Sequence, residues 1–198
     1  MAASERPERR VFLARHGETE WNRVGRWQGT TDIPLSDVGR AQARELAERL
    51  RGHAIARIHT SDLVRARETA QVVATTLGIA GVDIDPRLRE RGFGCFEGLT
   101  REECAVHHPE AWQRYLADRR STPPGAEAQP DVVARVIAAM TAVALTADAE
   151  GPALVVSHGG AIRSFMSAVT GHAPPPLANG ALFVARFADQ SFVAVEAL

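Results

Sequence analysis

Two histidines in this chain follow short apolar runs and are followed at once by glycine. Arg15-His16-Gly17 comes after Val11–Ala14, and His158-Gly159-Gly160 comes after Ala153–Val156. A histidine at the carboxyl end of a strand stands where open α/β sheets bind ligands. Beside a fixed cation, an imidazole suits an anionic electrophile, and phosphate is the obvious one. The glycine after His16 allows a sharp turn and the close approach of another group. Two further segments carry the rest of such chemistry: Thr60-Ser61-Asp62-Leu63-Val64-Arg65, and Arg87 to Thr100 around Glu90. A neutral imidazole nitrogen of His16 could attack phosphorus and split the reaction through a phosphohistidine. Arg15, Arg65 and His158 could stabilise the equatorial oxygens. Glu90 could protonate the leaving oxygen and then act as base for water.

In their order and in most of their letters, the four segments resemble the histidine phosphatase superfamily, the phosphoglycerate mutase-like proteins. Glu18-Thr19-Glu20-Trp21-Asn22, Gln28-Gly29, Asp32-Ile33-Pro34-Leu35 and Gly39-Arg40-Ala41-Gln42-Ala43 continue the likeness, which spans roughly residues 10 to 165. The resemblance implies an α/β fold, a three-layer α/β/α sandwich with a mostly parallel central sheet. It implies His16 as the phosphorylated nucleophile, Glu90 as proton donor and His158 as second histidine, with Arg15 and Arg65 on the phosphate. Arg15, Asn22, Gln28, Arg65, His158 and Gly159 would bind substrate, with no metal and no other cofactor. Phe96-Glu97-Gly98 resembles the broad phosphatase branch, so hydrolysis of a small phosphate ester is expected. The alternatives are a bisphosphoglycerate-dependent phosphoglycerate mutase and a non-catalytic module that binds a phosphorylated ligand. Pro123-Pro124-Gly125-Ala126-Glu127-Ala128 departs from the family loop, which usually carries a second glycine and a serine, so Glu127 receives no substrate role.

The elements that must position these groups follow from periodicity. Val11–Ala14, 54–59, Val82–Ile84 and Ala153–Val156 read as buried strands. Ala43, Leu46, Ala47 and Leu50 recur at helical spacing, as do Leu63, Ala66, Ala70, Val73 and Leu77, the latter with Ser61 or Asp62 as N-cap. Helices are also expected over 132–145 and 161–169, and a closing hairpin turns around Ala188-Asp189-Gln190. Strands alternating with helices imply a largely parallel sheet covered on both faces. One domain over 1–198 is expected, with residues 1–9 as a flexible tail.

The chain has 198 residues, 23 Lys and Arg against 24 Asp and Glu, and 45% hydrophobic residues. The balanced charge argues against nucleic acid and anionic membranes as partners. No apolar run nears the roughly 20 residues of a membrane span, and the polar start lacks the core of a signal peptide. A cytoplasmic monomer or homodimer acting on a small phosphate ester is expected. Cys95-x-x-Gly-x-x-Arg101 fits the spacing of cysteine-dependent phosphatases. Glu97 inside the loop and Glu102 and Glu103 after it oppose anion binding there, so the match reads as coincidence. Glu90 could instead pair with Arg87, Arg89 or Arg91. Arg91, Arg119 and Arg120 are open between solvent and a second anionic group of the substrate.

Overall fold

The computed structural model describes residues 8–147 and 151–198; residues 1–7, most of the expected tail, lie outside them. Six strands form one sheet: β1 (Arg9–Arg15), β2 (Arg57–Thr60), β3 (Asp83–Ile84), β4 (Ala153–Ser157), β5 (Leu182–Ala188) and β6 (Ser191–Ala197), in the order β3-β2-β4-β1-β5-β6. The first four are mutually parallel, while β5 runs antiparallel to β1 and β6 antiparallel to β5. β1 and β4 are in register from Val11 opposite Ala153 to Arg15 opposite Ser157. Both read as unbroken apolar runs because both faces of the sheet are covered.

Alternation sorts their side chains between two cores. Phe12, Ala14, Leu154 and Val156 pack with Leu46, Leu50, Ala66 and Val73. These come from α2 (Asp37–Leu50) and α3 (Val64–Leu77). Val11, Leu13, Ala153 and Val155 face the opposite way, onto Val136, Met140, Ile162 and Phe165. Those belong to α6 (Gln129–Thr146) and α7 (Gly159–Thr170). The result is the three-layer sandwich that the alternation predicts. Between β3 and α6 the chain adds α4 (Arg101–His107) and α5 (Pro109–Ala117), beyond the short α1 (Glu20–Arg23). Their small core gathers Phe96, Trp112 and Tyr115 with Trp27 and Phe93, edge to face. No helix among the described residues is long and apolar enough to cross a membrane.

Four readings shift. β3, expected as a buried strand, is exposed at both Asp83 and Ile84. β1 starts at Arg9, inside the stretch expected to be a tail, and pairs there with Phe187. The strand expected from Ala54 starts at Arg57, because Ala54 takes a positive φ of 51°. Helix α3 starts two residues beyond the expected cap: its N-cap is Leu63, which makes no side-chain cap bond. Asp62 instead pairs with Arg89, and Ser61 turns elsewhere.

Candidate active site

The carboxyl ends of three neighbouring parallel strands deliver the chemistry. β1 ends at Arg15 and hands on His16, β4 hands on His158, and β2 hands on Ser61. The two imidazoles lie side by side, their centroids 5.1 Å apart and their planes 58° apart. His16 is pinned through its backbone. Its N–H donates to Ser157 O at 3.0 Å, and its carbonyl accepts from Asn179 Nδ2 at 3.1 Å. The next residue donates from Gly17 N to Thr69 Oγ1, on α3, at 3.1 Å.

The ring of His16 is directed as a nucleophile needs. Nδ1 lies 2.6 Å from its neighbour's carbonyl, Gly17 O, which can only accept. Nδ1 therefore carries the proton and Nε2 keeps its lone pair. Burial holds the His16 pKa well below the usual histidine value, and the charges of Arg15 and Arg65 push the same way. His158, fully buried, is lowered well below that value by the same causes. Both rings are neutral at pH 7.

The two arginines are held from behind. Arg65 is completely buried, and its fork donates to Thr31 O at 2.8 Å and Gly29 O at 2.7 Å. Burial pulls its pKa down to about 10, still charged at neutral pH. Arg15 donates to Leu177 O, and burial lowers its pKa as well. A buried donor normally has a partner. Yet Arg15 Nε, Arg65 Nε and His158 Nδ1 are all buried and have none among the described residues. An anion placed against His16 would give three donors the acceptor they lack.

Glu90 is held at the first turn of α7. Its Oε2 accepts from Gly160 N at 2.8 Å, and its Oε1 from Ala161 N at 3.0 Å and Arg91 N at 2.8 Å. A carboxylate there satisfies orphan N–H groups and meets the positive end of the helix dipole. A β-carbon at 160 would stand 2.4 Å from Glu90 Oε1, so a side chain there would displace the carboxylate. The ion-pair alternative does not form. Arg87 pairs with Asp85 and Arg89 with Asp62, while Arg91 donates to the carbonyls of Glu127 and Ser121. Arg91, 4% exposed, is therefore structural rather than solvated.

Arg15, His16, Asn22, Gln28, Arg65, Glu90 and Gly159 all line one cleft of about 1180 Å³, and the His158 ring lies beside that of His16. Asn22 Oδ1 is already occupied, capping α1 through Thr19 and accepting from Asn179, so its amide nitrogen is the free end. Gln28 Oε1 is buried without a partner. Gly159 lies against Arg15, where a β-carbon would come 3.3 Å from Arg15 Nε. Arg119 and Arg120 form part of the outer wall, Arg119 lying over the Tyr115 ring at 4.8 Å.

Several working residues are given no role in the site by the sequence. Glu97 accepts from Thr30 N at 3.1 Å and Thr31 Oγ1 at 2.9 Å, bracing the loop whose carbonyls hold Arg65. Arg135 donates to the carbonyls of Arg87, Arg89 and Glu90 and pairs with Glu127, so the departed family loop still supports the segment carrying Glu90. Cys95 sits in a 3₁₀ turn with its thiol pKa raised by burial, opposite to what a nucleophilic cysteine needs.

Known proteins resemble this chain in sequence and in fold. The family model described as histidine phosphatase superfamily (branch 1) matches residues 11–197. Phosphoglycerate mutase-like protein 4 of Arabidopsis thaliana is 38% identical over 157 residues, covering 78% of this chain and 68% of that one. The mycobacterial glucosyl-3-phosphoglycerate phosphatase, solved with VO3, superposes with a TM-score of 0.80 at 29% identity, over 91% of this chain and 97% of that one. Bacillus stearothermophilus YhfR gives a TM-score of 0.82 at 30% identity, over 92% and 93% of the two chains. The chain belongs to the histidine phosphatase superfamily.

Proposed function

We propose that this protein hydrolyses a small phosphate monoester through a phosphohistidine on His16. The observation that carries the reading is that Arg15 Nε, Arg65 Nε and His158 Nδ1, buried and without a partner among the described residues, belong to side chains that neighbour His16, whose Nε2 keeps its lone pair. Uncatalysed monoester hydrolysis is among the slowest of biological reactions, so charge stabilisation of the transferring group must be heavy. In the first step His16 Nε2 bonds to phosphorus, the ester P–O bond breaks, and the leaving oxygen takes a proton from the Glu90 carboxyl. Three of the carboxyl's four lone-pair sites accept backbone N–H groups, and the fourth, on Oε2, carries that proton. In the second step water bonds to phosphorus, Glu90 takes its proton, and the P–N bond breaks to release inorganic phosphate. Arg15, Arg65 and His158 hold the equatorial oxygens throughout, so the scheme calls on no metal or other cofactor. Asn22, Gln28 and Gly159 line the phosphate end.

The outer wall favours a substrate with a second anionic group. Arg119 and Arg120 are exposed at the cleft, and neither is engaged in a salt bridge among the described residues. A phosphoglycerate-like ester, the chemistry named in the Arabidopsis and mycobacterial relatives, fits that charge. The mutase alternative uses the same phosphohistidine but passes the phosphoryl group to a second hydroxyl.

The test is an alkaline quench, which preserves phosphohistidine. Labelled phosphate should appear on His16 and be released to water, and His16→Ala should abolish both. Isomerisation of a phosphoglycerate that depends on bisphosphoglycerate and outruns phosphate release would establish the mutase instead.

A further inference from the structure

We propose that Ser61 is a positioning residue that fixes which nitrogen of His158 bears the proton, so that Nδ1–H is the donor offered to the transferring phosphoryl group. The inference deepens the phosphatase reading and rests on it for its catalytic consequence.

Ser61 is fully buried at the end of β2, with its Oγ 2.6 Å from His158 Nε2. A hydroxyl has one proton to give and two lone pairs to fill. One lone pair of Ser61 already accepts from Leu63 N at 3.3 Å. Among the described residues, the hydroxyl's other polar neighbour, and the group that can take its proton, is His158 Nε2. The serine therefore donates to Nε2, whose lone pair is consumed, and the single ring proton of a neutral His158 stands on Nδ1. Nδ1 is the buried ring atom that has no partner among the described residues.

The opposite tautomer fails on both sides. Nε2–H would point at Ser61 and leave its hydroxyl proton without an acceptor, an expensive orphan in a dry site. It would also turn the Nδ1 lone pair toward the oxygens of a phosphate dianion. Burial and the neighbouring arginines keep the ring neutral, so it cannot satisfy both nitrogens with two protons. The two imidazoles thus share one tautomer and opposite roles. His16 turns its proton away onto Gly17 O and shows a lone pair, whereas His158 spends its lone pair on Ser61 and shows a proton. Ser61 therefore accepts only from the N-cap residue Leu63, while the first N–H of helix α3, on Val64, is taken by Asp32 Oδ1 at 2.6 Å.

Two-bond ¹H–¹⁵N correlation spectra of protein labelled in histidine read the tautomer without turnover. At neutral pH His158 should give a protonated, pyrrole-type Nδ1 and a bare, pyridine-type Nε2. Orthovanadate should shift the Nδ1–H signal and leave Nε2 pyridine-type. In Ser61→Ala the two nitrogens should move toward averaged shifts, and kcat on p-nitrophenyl phosphate should fall about tenfold, less than removal of a whole charge-stabilising donor costs. Ser61→Thr, which keeps the hydroxyl, should restore the tautomer and most of kcat. A wild-type His158 protonated at Nε2 would overturn the proposal, as would Ser61→Ala with an unchanged tautomer. The wild-type spectrum decides even if a variant does not fold. If the tautomer and the vanadate response appear in a protein that releases no phosphate from any ester, the positioning role stands and the hydrolase reading falls.

Discussion

The carbonyl oxygen of Gly39 lies 2.3 Å from the place a β-carbon on Gly17 would occupy. Gly39 is as tightly placed, since its own β-carbon would stand 2.0 Å from Glu18 O. The turn bearing the nucleophile is thus packed backbone to backbone against the first turn of α2. Gly17 is absent from the residues with positive φ, so its requirement is space and not a left-handed conformation. The group that comes close to it is this protein's own helix. Gly17→Ala should cost about 1–3 kcal/mol, the range for overpacking a tight site. Thermal unfolding should then drop by about 2–4 °C for each kcal/mol in a chain of this size. An unchanged midpoint would mean the turn and helix are free to part.

Glu90→Gln separates the two chemical steps. An amide can neither protonate a leaving group nor accept a proton from water. With p-nitrophenyl phosphate, whose leaving group needs little help, a burst of nitrophenol close to one equivalent should precede a slow steady state. With an alkyl phosphate the burst should vanish, and the rate should fall about 10²–10⁴-fold, the usual span for a lost acid-base group. Rapid-mixing absorbance and phosphate release measure these. Equal losses for both esters, without a burst, would remove Glu90 from the acid role.

Reversing charge at the outer wall should discriminate between substrates. Arg119→Glu with Arg120→Glu should raise KM for a glycerate phosphate about tenfold or more, while KM for p-nitrophenyl phosphate changes about twofold. Two exposed charges at a few ångströms carry about 1 kcal/mol each in water, enough for that ratio. Equal changes for both substrates would place the second anion elsewhere.

Stability should fall with acid earlier than carboxylates alone dictate. His16 and His158 have folded pKa values depressed by burial, so below about pH 6.5 the unfolded chain binds protons that the native state refuses. Stability then rises with pH through that window and is lost as pH falls. Each histidine contributes a limiting slope of about 1.4 kcal/mol per pH unit. Urea titrations from pH 7 down to 5.5 should show the slope approaching this limit, with a further contribution from His59, whose pKa burial also lowers, and His16→Asn should remove the share of His16. A flat profile would mean that these rings titrate as they do in the unfolded chain.

Much of the centre could be read from residue order, because strand ends and their glycines are local features. His16, Arg65, Glu90 and His158 come together as their segments suggest, and the unbroken apolar runs of β1 and β4 announced a sheet covered on both sides. What escaped was the partner of each group. Ser61 and Asp62 both satisfy a helix-cap pattern, and nothing local reveals that one turns to His158 across 97 positions and the other to Arg89. Glu90 stands among three arginines in sequence, yet its bonds go to backbone N–H groups of α7, donors that every residue carries and no composition displays. Arg135 and Glu97 act through carbonyls and loops, so their side chains look like ordinary surface charges until the fold is known.

The outer wall and the phosphate centre come from different stretches of chain. His16, Ser61 and His158 end sheet strands, whereas Tyr115, Arg119 and Arg120 arrive with the α4–α5 segment and its own small aromatic core. Substitutions in that segment need not disturb the sheet. A lineage could therefore retool which ester it accepts by redrawing one peripheral module, while the machinery that breaks the bond is inherited intact.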